Sequence, residues 1–137
     1  MKLALLIFSL FSGNWKMDPG RSNFGPAPRL SSLIRKVELA GPILTVMDEQ
    51  TGGPERRQTI IRNYGIDGRQ TTNTWMGADL KTTTAWNGTM LMMSSAAEGV
   101  RLTEKWSLAG EGRELIDEIH VVAPQGEYDM TYILDKQ

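Results

Sequence analysis

Dipeptides that end in glycine recur at short intervals in the second half of this chain, and they limit its fold more than any other feature. Glycine supplies the positive φ angle that tight hairpin turns require, and Asn-Gly is the most specific such pair. The segments between the pairs are rich in Thr, Ile, Val, Trp and Tyr, which are typical of β-strands. The sequence therefore predicts consecutive antiparallel hairpins. Their turns are Asp67-Gly68, Asn87-Gly88, Glu98-Gly99, Glu111-Gly112 and Gln125-Gly126.

The turns predict which residues share a face of the sheet. A short loop pairs the residues on either side of it, and paired residues point the same way. The predicted partners include Thr84 and Leu91, Ser95 and Leu102, Leu108 and Leu115, and Val121 and Met130. One face then carries Trp86, Leu91, Met93, Leu102, Trp106, Leu108, Leu115, Ile119, Val121, Tyr128, Met130, Tyr132 and Leu134. The opposite face is polar and includes Lys81, Arg101, Lys105, Glu118, His120 and Asp129.

The pattern continues upstream. A loop at Asp67-Gly68 pairs Tyr64 with Thr71, Arg62 with Asn73 and Ile60 with Trp75, and a turn at Gly77-Ala78 places Trp75 beside Leu80. Earlier strands are expected near 30–39 and 42–50, with a short opening strand from Gly13 to Met17. Residues 18–29 carry Gly and Pro near both ends and are expected to form a loop.

These elements predict an all-β fold, an antiparallel up-and-down meander of about nine or ten strands closed into a barrel. Closure covers the apolar face and removes the exposed sheet edges. A two-sheet sandwich of the same strands is the alternative, although consecutive short turns favour the meander.

The first residues resemble an export signal. Met1-Lys2 precedes a mostly apolar run over 3–11, which is too short to span a bilayer as a helix. We expect residues 1–12 to form a signal-peptide-like segment, residues 13–137 to form a single domain, and the protein to be secreted or periplasmic. A buried first strand or an N-terminal plug of the barrel is the alternative.

Composition narrows the classes of function. The 15 basic and 16 acidic residues nearly cancel, which gives no electrostatic reason to expect nucleic acid as a partner. No cysteine is present, so thiolate chemistry and cysteine metal sites are excluded. The single histidine, His120, is predicted to face outwards, which argues against an axial haem ligand or a histidine metal site. No cofactor or metal is predicted, and the oligomeric state is left open.

A family resemblance begins at Gly13-Asn14-Trp15. This Gly-x-Trp sequence resembles the opening strand of lipocalins, and the segment Arg21-Ser22-Asn23-Phe24-Gly25-Pro26-Ala27-Pro28 resembles uncharacterised secreted proteins of soil bacteria with lipocalin-like barrels. The resemblance implies a ligand-binding barrel in which Trp15 closes one end and packs against a basic residue late in the chain. Lys136 holds that place here, where lipocalins typically have Arg, and no C-terminal helix is predicted after the strands.

Three charged residues, Arg62, Glu104 and Asp117, fall on the apolar face, where burial is costly unless the charge is paired. Arg62 is a candidate anchor for a ligand carboxylate, with Tyr64 and Tyr132 as hydrogen-bond donors. The candidate ligand-binding residues are Arg62, Tyr64, Trp75, Trp86, Met93, Glu104, Trp106, Asp117 and Tyr132. The alternatives are that the charges lie at a rim or pair with one another, and that the Trp and Met side chains fill the core.

The function that fits best is binding of a small apolar or amphipathic molecule inside the barrel, with a carboxylic acid as one candidate. A structural or protein-interaction barrel with a filled core is the alternative. An enzyme using Glu104 and Asp117 as an internal carboxylate pair is a third hypothesis.

Overall fold

The computed structural model describes residues 10–52, 57–75 and 77–137 and shows one ten-stranded antiparallel sheet. The strands are β1 (Gly13–Met17), β2 (Ser32–Ala40), β3 (Ile43–Thr51), β4 (Arg57–Gly65), β5 (Thr71–Trp75), β6 (Ala78–Asn87), β7 (Met90–Ala97), β8 (Val100–Ala109), β9 (Glu114–Ala123) and β10 (Gly126–Lys136). Their order is β4-β3-β2-β1-β10-β9-β8-β7-β6-β5, so the first strand pairs with the last. The predicted meander and the loop over 18–29 are confirmed.

Two of the predicted turns have the expected register. Ala97 lies opposite Val100, and Leu108 lies opposite Leu115. Leu91, Leu102, Trp106, Ile119 and Tyr132 belong to the inner face, where all but the half-buried Leu102 are buried.

Other predicted partners are wrong by two residues. Thr84 lies opposite Met93 instead of Leu91, and Val121 lies opposite Tyr128 instead of Met130. Trp75 lies opposite Ala78 instead of Leu80. In each case the two-residue loop starts elsewhere in the turn, as Gly88-Thr89 does in place of Asn87-Gly88. A shift of two residues keeps every side chain on its face, so the predicted inner face survives.

The predicted pairing of β4 with β5 is also wrong, because these strands are the two ends of the sheet order. A side chain joins them instead. Asn73 of β5 accepts a hydrogen bond from the Asn63 backbone N–H (2.8 Å) and donates one to the Asn63 carbonyl (3.0 Å). Thr71 and Thr84 donate to the carbonyls of Asn63 and Gly65. We call this contact of β4 with β5 and β6 the seam.

The seam predicts a specific effect of Asn73→Ala. The part-buried Asn63 N–H would lose its partner and the Asn63 carbonyl would keep only the Thr71 hydroxyl, which costs about 1–3 kcal/mol. Urea denaturation should show this loss, and hydrogen exchange of the Asn63 amide should accelerate. Thr72→Ala, on the outer face of the same strand, is the control. Unchanged exchange at Asn63 in the Asn73 variant would contradict the role given to this side chain.

Aromatic side chains close the barrel where β1 begins. Trp15 is fully buried, and its indole N–H donates to the Phe11 carbonyl at 2.9 Å. The Lys136 ammonium lies 5.3 Å from the centre of the Trp15 ring, which is the contact that the lipocalin resemblance implies. Phe11 packs beside Trp106 at 5.7 Å between ring centres. Phe11 belongs to the segment 1–12 assigned to an export signal, most of which lies outside the described residues.

The loop between β1 and β2 covers the interior at the opposite end of β1. Its Phe24 and Leu30 are buried, and Phe24 lies 5.8 Å from the Tyr132 ring. Asn23 forms a β-bridge with Thr131, which ties the loop to β10. No helix in the described part of the chain is long and apolar enough to cross a membrane.

Candidate functional site

A cluster of charged side chains lies inside the barrel. Arg35 of β2 and Asp48 of β3 are cross-strand partners, and both point inwards by strand alternation. Arg35 donates from Nε and Nη2 to the two Asp48 oxygens at 2.8 and 3.0 Å, and from Nη1 to Asp117 Oδ2 at 2.8 Å. Arg35 is 1% exposed. All three guanidinium nitrogens of Arg35 are therefore used within the protein.

Arg62 of β4 extends the cluster. It donates from Nη2 to Asp48 Oδ2 at 2.9 Å and from Nη1 to Glu104 Oε1 at 3.1 Å. The Trp106 indole N–H and the Tyr64 hydroxyl also donate to Glu104, at 2.9 and 3.4 Å. Arg62 is therefore paired within the barrel, as in the alternative in which the inward charges pair with one another. Its partners are Glu104 and Asp48. We call Arg35, Asp48, Arg62, Glu104 and Asp117 the ion cluster.

The two carboxyl groups on β8 and β9 differ in proton affinity. Burial raises the pKa of Asp117 well above its usual range, and the neighbouring Glu104 carboxylate raises it further. Burial also acts to raise the pKa of Glu104, but Arg62, Arg35 and hydrogen bonds to the ionised group lower it to about 2. Of the two carboxyl groups, Asp117 therefore has the higher proton affinity and Glu104 the lower. The ion cluster holds two guanidinium groups and three carboxyl groups, and Asp117 is the carboxyl group whose surroundings most favour a proton.

Arg35 and Tyr132 also have shifted pKa values. Burial acts to lower the pKa of Arg35, but Asp48 and Asp117 raise it above its usual value, so Arg35 stays charged. Burial raises the pKa of Tyr132 to about 12, which keeps its hydroxyl neutral. That hydroxyl donates only a weak hydrogen bond, to the Met130 sulfur at 3.8 Å.

The structure brings five of the predicted site residues together, namely Arg62, Tyr64, Glu104, Trp106 and Asp117. Two others are cross-strand neighbours of the ion cluster. Met93 lies opposite Glu104, and Tyr132 lies opposite Asp117.

The last two predicted residues lie elsewhere. Trp86 stacks against Phe11 at 6.2 Å, at the closed end of the barrel, while Trp75 is half-buried at the end of β5. The predicted residues therefore lie in three places: in or beside the ion cluster, at the aromatic end of the barrel where β1 begins, and at the end of β5.

Sequence reasoning missed two members of the ion cluster, Arg35 and Asp48. Each replaces an apolar residue in an alternating strand, between Leu33 and Val37 in β2 and after Val46 in β3. This interruption of a period of two is the signal that could have identified them. The Gly41 turn joins these two strands, but their inner face was not assigned from the sequence, so the interruption was missed.

Neutral polar side chains form a second group on the inner face. Asn73 Nδ2 donates to Thr82 Oγ1 at 3.1 Å, and the hydroxyls of Thr82 and Ser95 are 2.8 Å apart. All three are buried. This group carries no charge and links the seam to the interior.

Several inward positions are only half-buried. They are Ile60, Trp75, Leu102 and Tyr128, which we call the rim group. Arg62, between the rim group and the interior on β4, is 15% exposed, whereas Asp48 and Glu104 are 2% exposed. Water therefore reaches one side of the ion cluster through Arg62.

The best-defined concavities among the described residues lie outside the interior. One of about 190 Å³ covers the outer surface of β8, β9 and β10 around His120, which faces outwards as predicted. The other, of about 440 Å³, lies beside β1 and β2. No group of three or more His, Asp or Glu side chains in the described ranges is placed to hold a metal.

Comparison with known proteins identifies the fold. No family model matches the sequence, and no curated protein matches it. Fatty-acid-binding protein 1 of Echinococcus granulosus superposes with a TM-score of 0.68 at 12% identity, over 93% of this chain and 98% of that one. The chain shares its fold with fatty-acid-binding proteins.

Two further structures agree. Zebrafish ileal bile acid-binding protein, complexed with cholic acid, gives a TM-score of 0.67 at 13% identity, over 93% of this chain and 99% of that one. Wild-type fluorescent protein UnaG gives 0.69 at 12% identity, over 94% and 98%. The lipocalin-like small barrel is thus supported, whereas the narrower resemblance to secreted proteins of soil bacteria finds no support.

Proposed function

We propose that this barrel binds a small apolar or amphipathic molecule in its interior, between the rim group and the ion cluster. The observation that carries this proposal is the incomplete burial of inward-facing residues. Ile60, Trp75 and Leu102 point into the barrel but keep part of their surface in water. A ligand that covered this surface would gain roughly 25 cal/mol for each Å² of apolar area buried. Two of the proteins that share the fold are named for binding a fatty acid or a bile acid.

Binding requires a local rearrangement, because the described interior is occupied largely by side chains of the protein itself. Phe24 and Leu30 are the side chains best placed to move. They belong to the loop between β1 and β2, which lacks regular strand pairing apart from the Asn23 bridge. Loops of this kind open at lower free energy than the strands beneath them.

Titration with Nile red, an uncharged apolar dye, tests the proposal. Leu102→Arg places a long charged side chain within the rim group and is expected to weaken dye binding at least tenfold. Val122→Arg, on the outer face of the neighbouring strand, is the matched control and should bind as the wild type does, since Val122 already lies 37% exposed. Dye fluorescence and the thermal midpoint are measured for all three proteins. Equal affinity in the three proteins would place the dye outside the barrel and contradict the proposal.

A filled structural barrel is the second candidate function. It is favoured by the complete burial of Phe11, Trp15 and Trp106 and by the positions of the two concavities outside the interior. In that case no apolar probe binds to the wild type, and the ion cluster serves only to fix the register of the strands. The same titration separates the two functions.

Catalysis by Glu104 and Asp117 is a weaker proposal. The two groups have opposite pKa shifts, as a general acid and its neighbour require. However, Glu104 accepts hydrogen bonds from three side chains, and Asp117 is fully buried. A substrate would have to displace one of these partners to reach either carboxyl group.

Export remains a proposal based on the sequence of residues 1–12. It predicts that the mature protein recovered from the medium or periplasm begins near Ser12 or Gly13. Mass spectrometry of the intact protein tests this directly. Retention of Phe11 in exported protein would favour the alternative, in which this residue is a permanent plug against Trp106.

A further inference from the structure

The charges of the ion cluster indicate which polar group an interior ligand carries. The cluster contains two guanidinium groups and three carboxyl groups, all on inward-facing positions of the described strands. Its net charge is therefore zero when one carboxyl group holds a proton and −1 when none does. In neither of these states is it positive. A ligand carboxylate entering this interior would meet no net attraction.

The hydrogen-bond inventory leads to the same conclusion. Every nitrogen of Arg35 already donates to a carboxylate of the chain. Both Nη atoms of Arg62 donate to Asp48 and Glu104, which leaves Nε as its one nitrogen without a partner. A ligand carboxylate that formed a bidentate contact with Arg62 would have to displace Glu104. The Glu104 carboxylate would then be buried without its cation. That change is costly in a site of low dielectric constant.

The donors that remain suit a neutral oxygen atom. Arg62 Nε offers one N–H, and the Tyr132 hydroxyl is held only by the Met130 sulfur. A single hydroxyl or carbonyl oxygen can accept from such isolated donors without bringing a charge into the barrel. The other polar group on the inner face, formed by Asn73, Thr82 and Ser95, is neutral as well.

We infer that the interior selects an apolar molecule with an uncharged oxygen-bearing end, such as a long-chain alcohol, and discriminates against the corresponding carboxylate. This inference rests on the proposed binding function and differs from the sequence-based hypothesis, in which Arg62 anchors an acid. Glu104 and Asp48 act as specificity-determining residues because they neutralise the cation that an acid would need.

Displacement of Nile red by 1-dodecanol and by dodecanoate, compared at pH 7.5 below the aggregation concentration of each, tests the inference. The wild type should bind the alcohol at least tenfold more tightly than the acid. Glu104→Gln keeps the size of the side chain and removes one negative charge, so the preference should shrink or reverse. Asp135→Gln, which removes a carboxylate on the outer surface, should leave the preference unchanged.

Each outcome has a distinct meaning. Equal or tighter binding of the acid by the wild type would overturn the inference and leave the binding function standing. Failure of the wild type to bind dye, alcohol and acid would overturn both. If Glu104→Gln does not fold, Asp117→Asn supplies the second variant. Asp117→Asn leaves two guanidinium groups and two carboxyl groups and keeps the Glu104 contact with Arg62, so the preference for the alcohol should persist. Conversion to acid preference would contradict the charge count.

Discussion

Replacing Arg35 with Met is expected to destabilise the protein by about 3–5 kcal/mol, the usual cost of removing one partner from a buried ion pair. The guanidinium of Arg35 holds Asp48 with two hydrogen bonds and Asp117 with a third. Its removal leaves two buried carboxyl groups that water cannot reach. Arg62 would still compensate Asp48, but Asp117 would lose its only guanidinium contact within the described residues. Methionine keeps much of the apolar volume, so the loss would reflect charge more than cavity formation.

The molecule contains a matched control for this substitution. Arg21 also contacts three carboxylates, those of Asp18, Glu114 and Asp135, at 2.7 to 2.9 Å. Its side chain is 47% exposed, whereas that of Arg35 is 1% exposed. Water and salt weaken exposed pairs strongly, so Arg21→Met should change stability far less.

Urea denaturation of the two variants at low and high salt measures the difference. The contribution of the Arg21 network to the free energy of unfolding should disappear as salt increases. The decrease in the free energy of unfolding caused by Arg35→Met should persist. Equal effects of the two substitutions would mean that burial does not determine the strength of the ion cluster. Recovery of stability in a variant that combines Arg35→Met with Asp117→Leu would support the cost of an unpaired carboxyl group as the cause.

The inner face of β7 to β10 was predictable because glycine turns limit the register to steps of two. The Asn87-Gly88 and Gln125-Gly126 loops were placed one residue away from their true positions, which changed the cross-strand partners by two residues, yet Leu91 and Met130 remained on the predicted face. A loop longer or shorter by one residue would have changed the partners by one residue and moved a polar row into the core. Hydrophobic alternation therefore predicts the faces of these strands even where the exact turn is wrong.

Two features could not be obtained from the same rules. The seam depends on a side chain, Asn73, that substitutes for a ladder of backbone hydrogen bonds, and no turn rule distinguishes this from a regular hairpin. The ion cluster joins β2, β3, β4, β8 and β9, which are far apart in sequence. Barrel closure brings these strands together, and the sequence does not show which of their side chains meet. Arg62 and Asp117 were therefore identified only as isolated charges, while Arg35, which links Asp48 to Asp117, was missed.

The pH dependence of stability should reveal the proton on Asp117. The pKa of Asp117 is raised in the folded protein by burial and by Glu104. At a pH between the ordinary pKa near 4 and the raised pKa of the folded protein, the native state holds a proton that the unfolded state has released. Stability therefore falls as pH rises through this window, with a limiting slope of about 1.4 kcal/mol per pH unit for one proton. The other titratable groups around Asp117 are Glu104, Asp48, Arg35, Arg62 and Tyr132.

Asp117→Asn should remove this slope, because an amide resembles the protonated acid and its carbonyl oxygen still accepts from Arg35 Nη1. The measurement is urea denaturation at intervals between pH 4.5 and 7. The pKa of Glu104 is lowered to about 2, so its contribution to stability is lost only as pH falls below this range. The pKa of His120 is raised by hydrogen bonds to Asp129 and Glu127, so its contribution is lost as pH rises and is common to both proteins. The difference between wild type and variant isolates Asp117, and parallel curves would show that its carboxyl group is ionised inside the barrel.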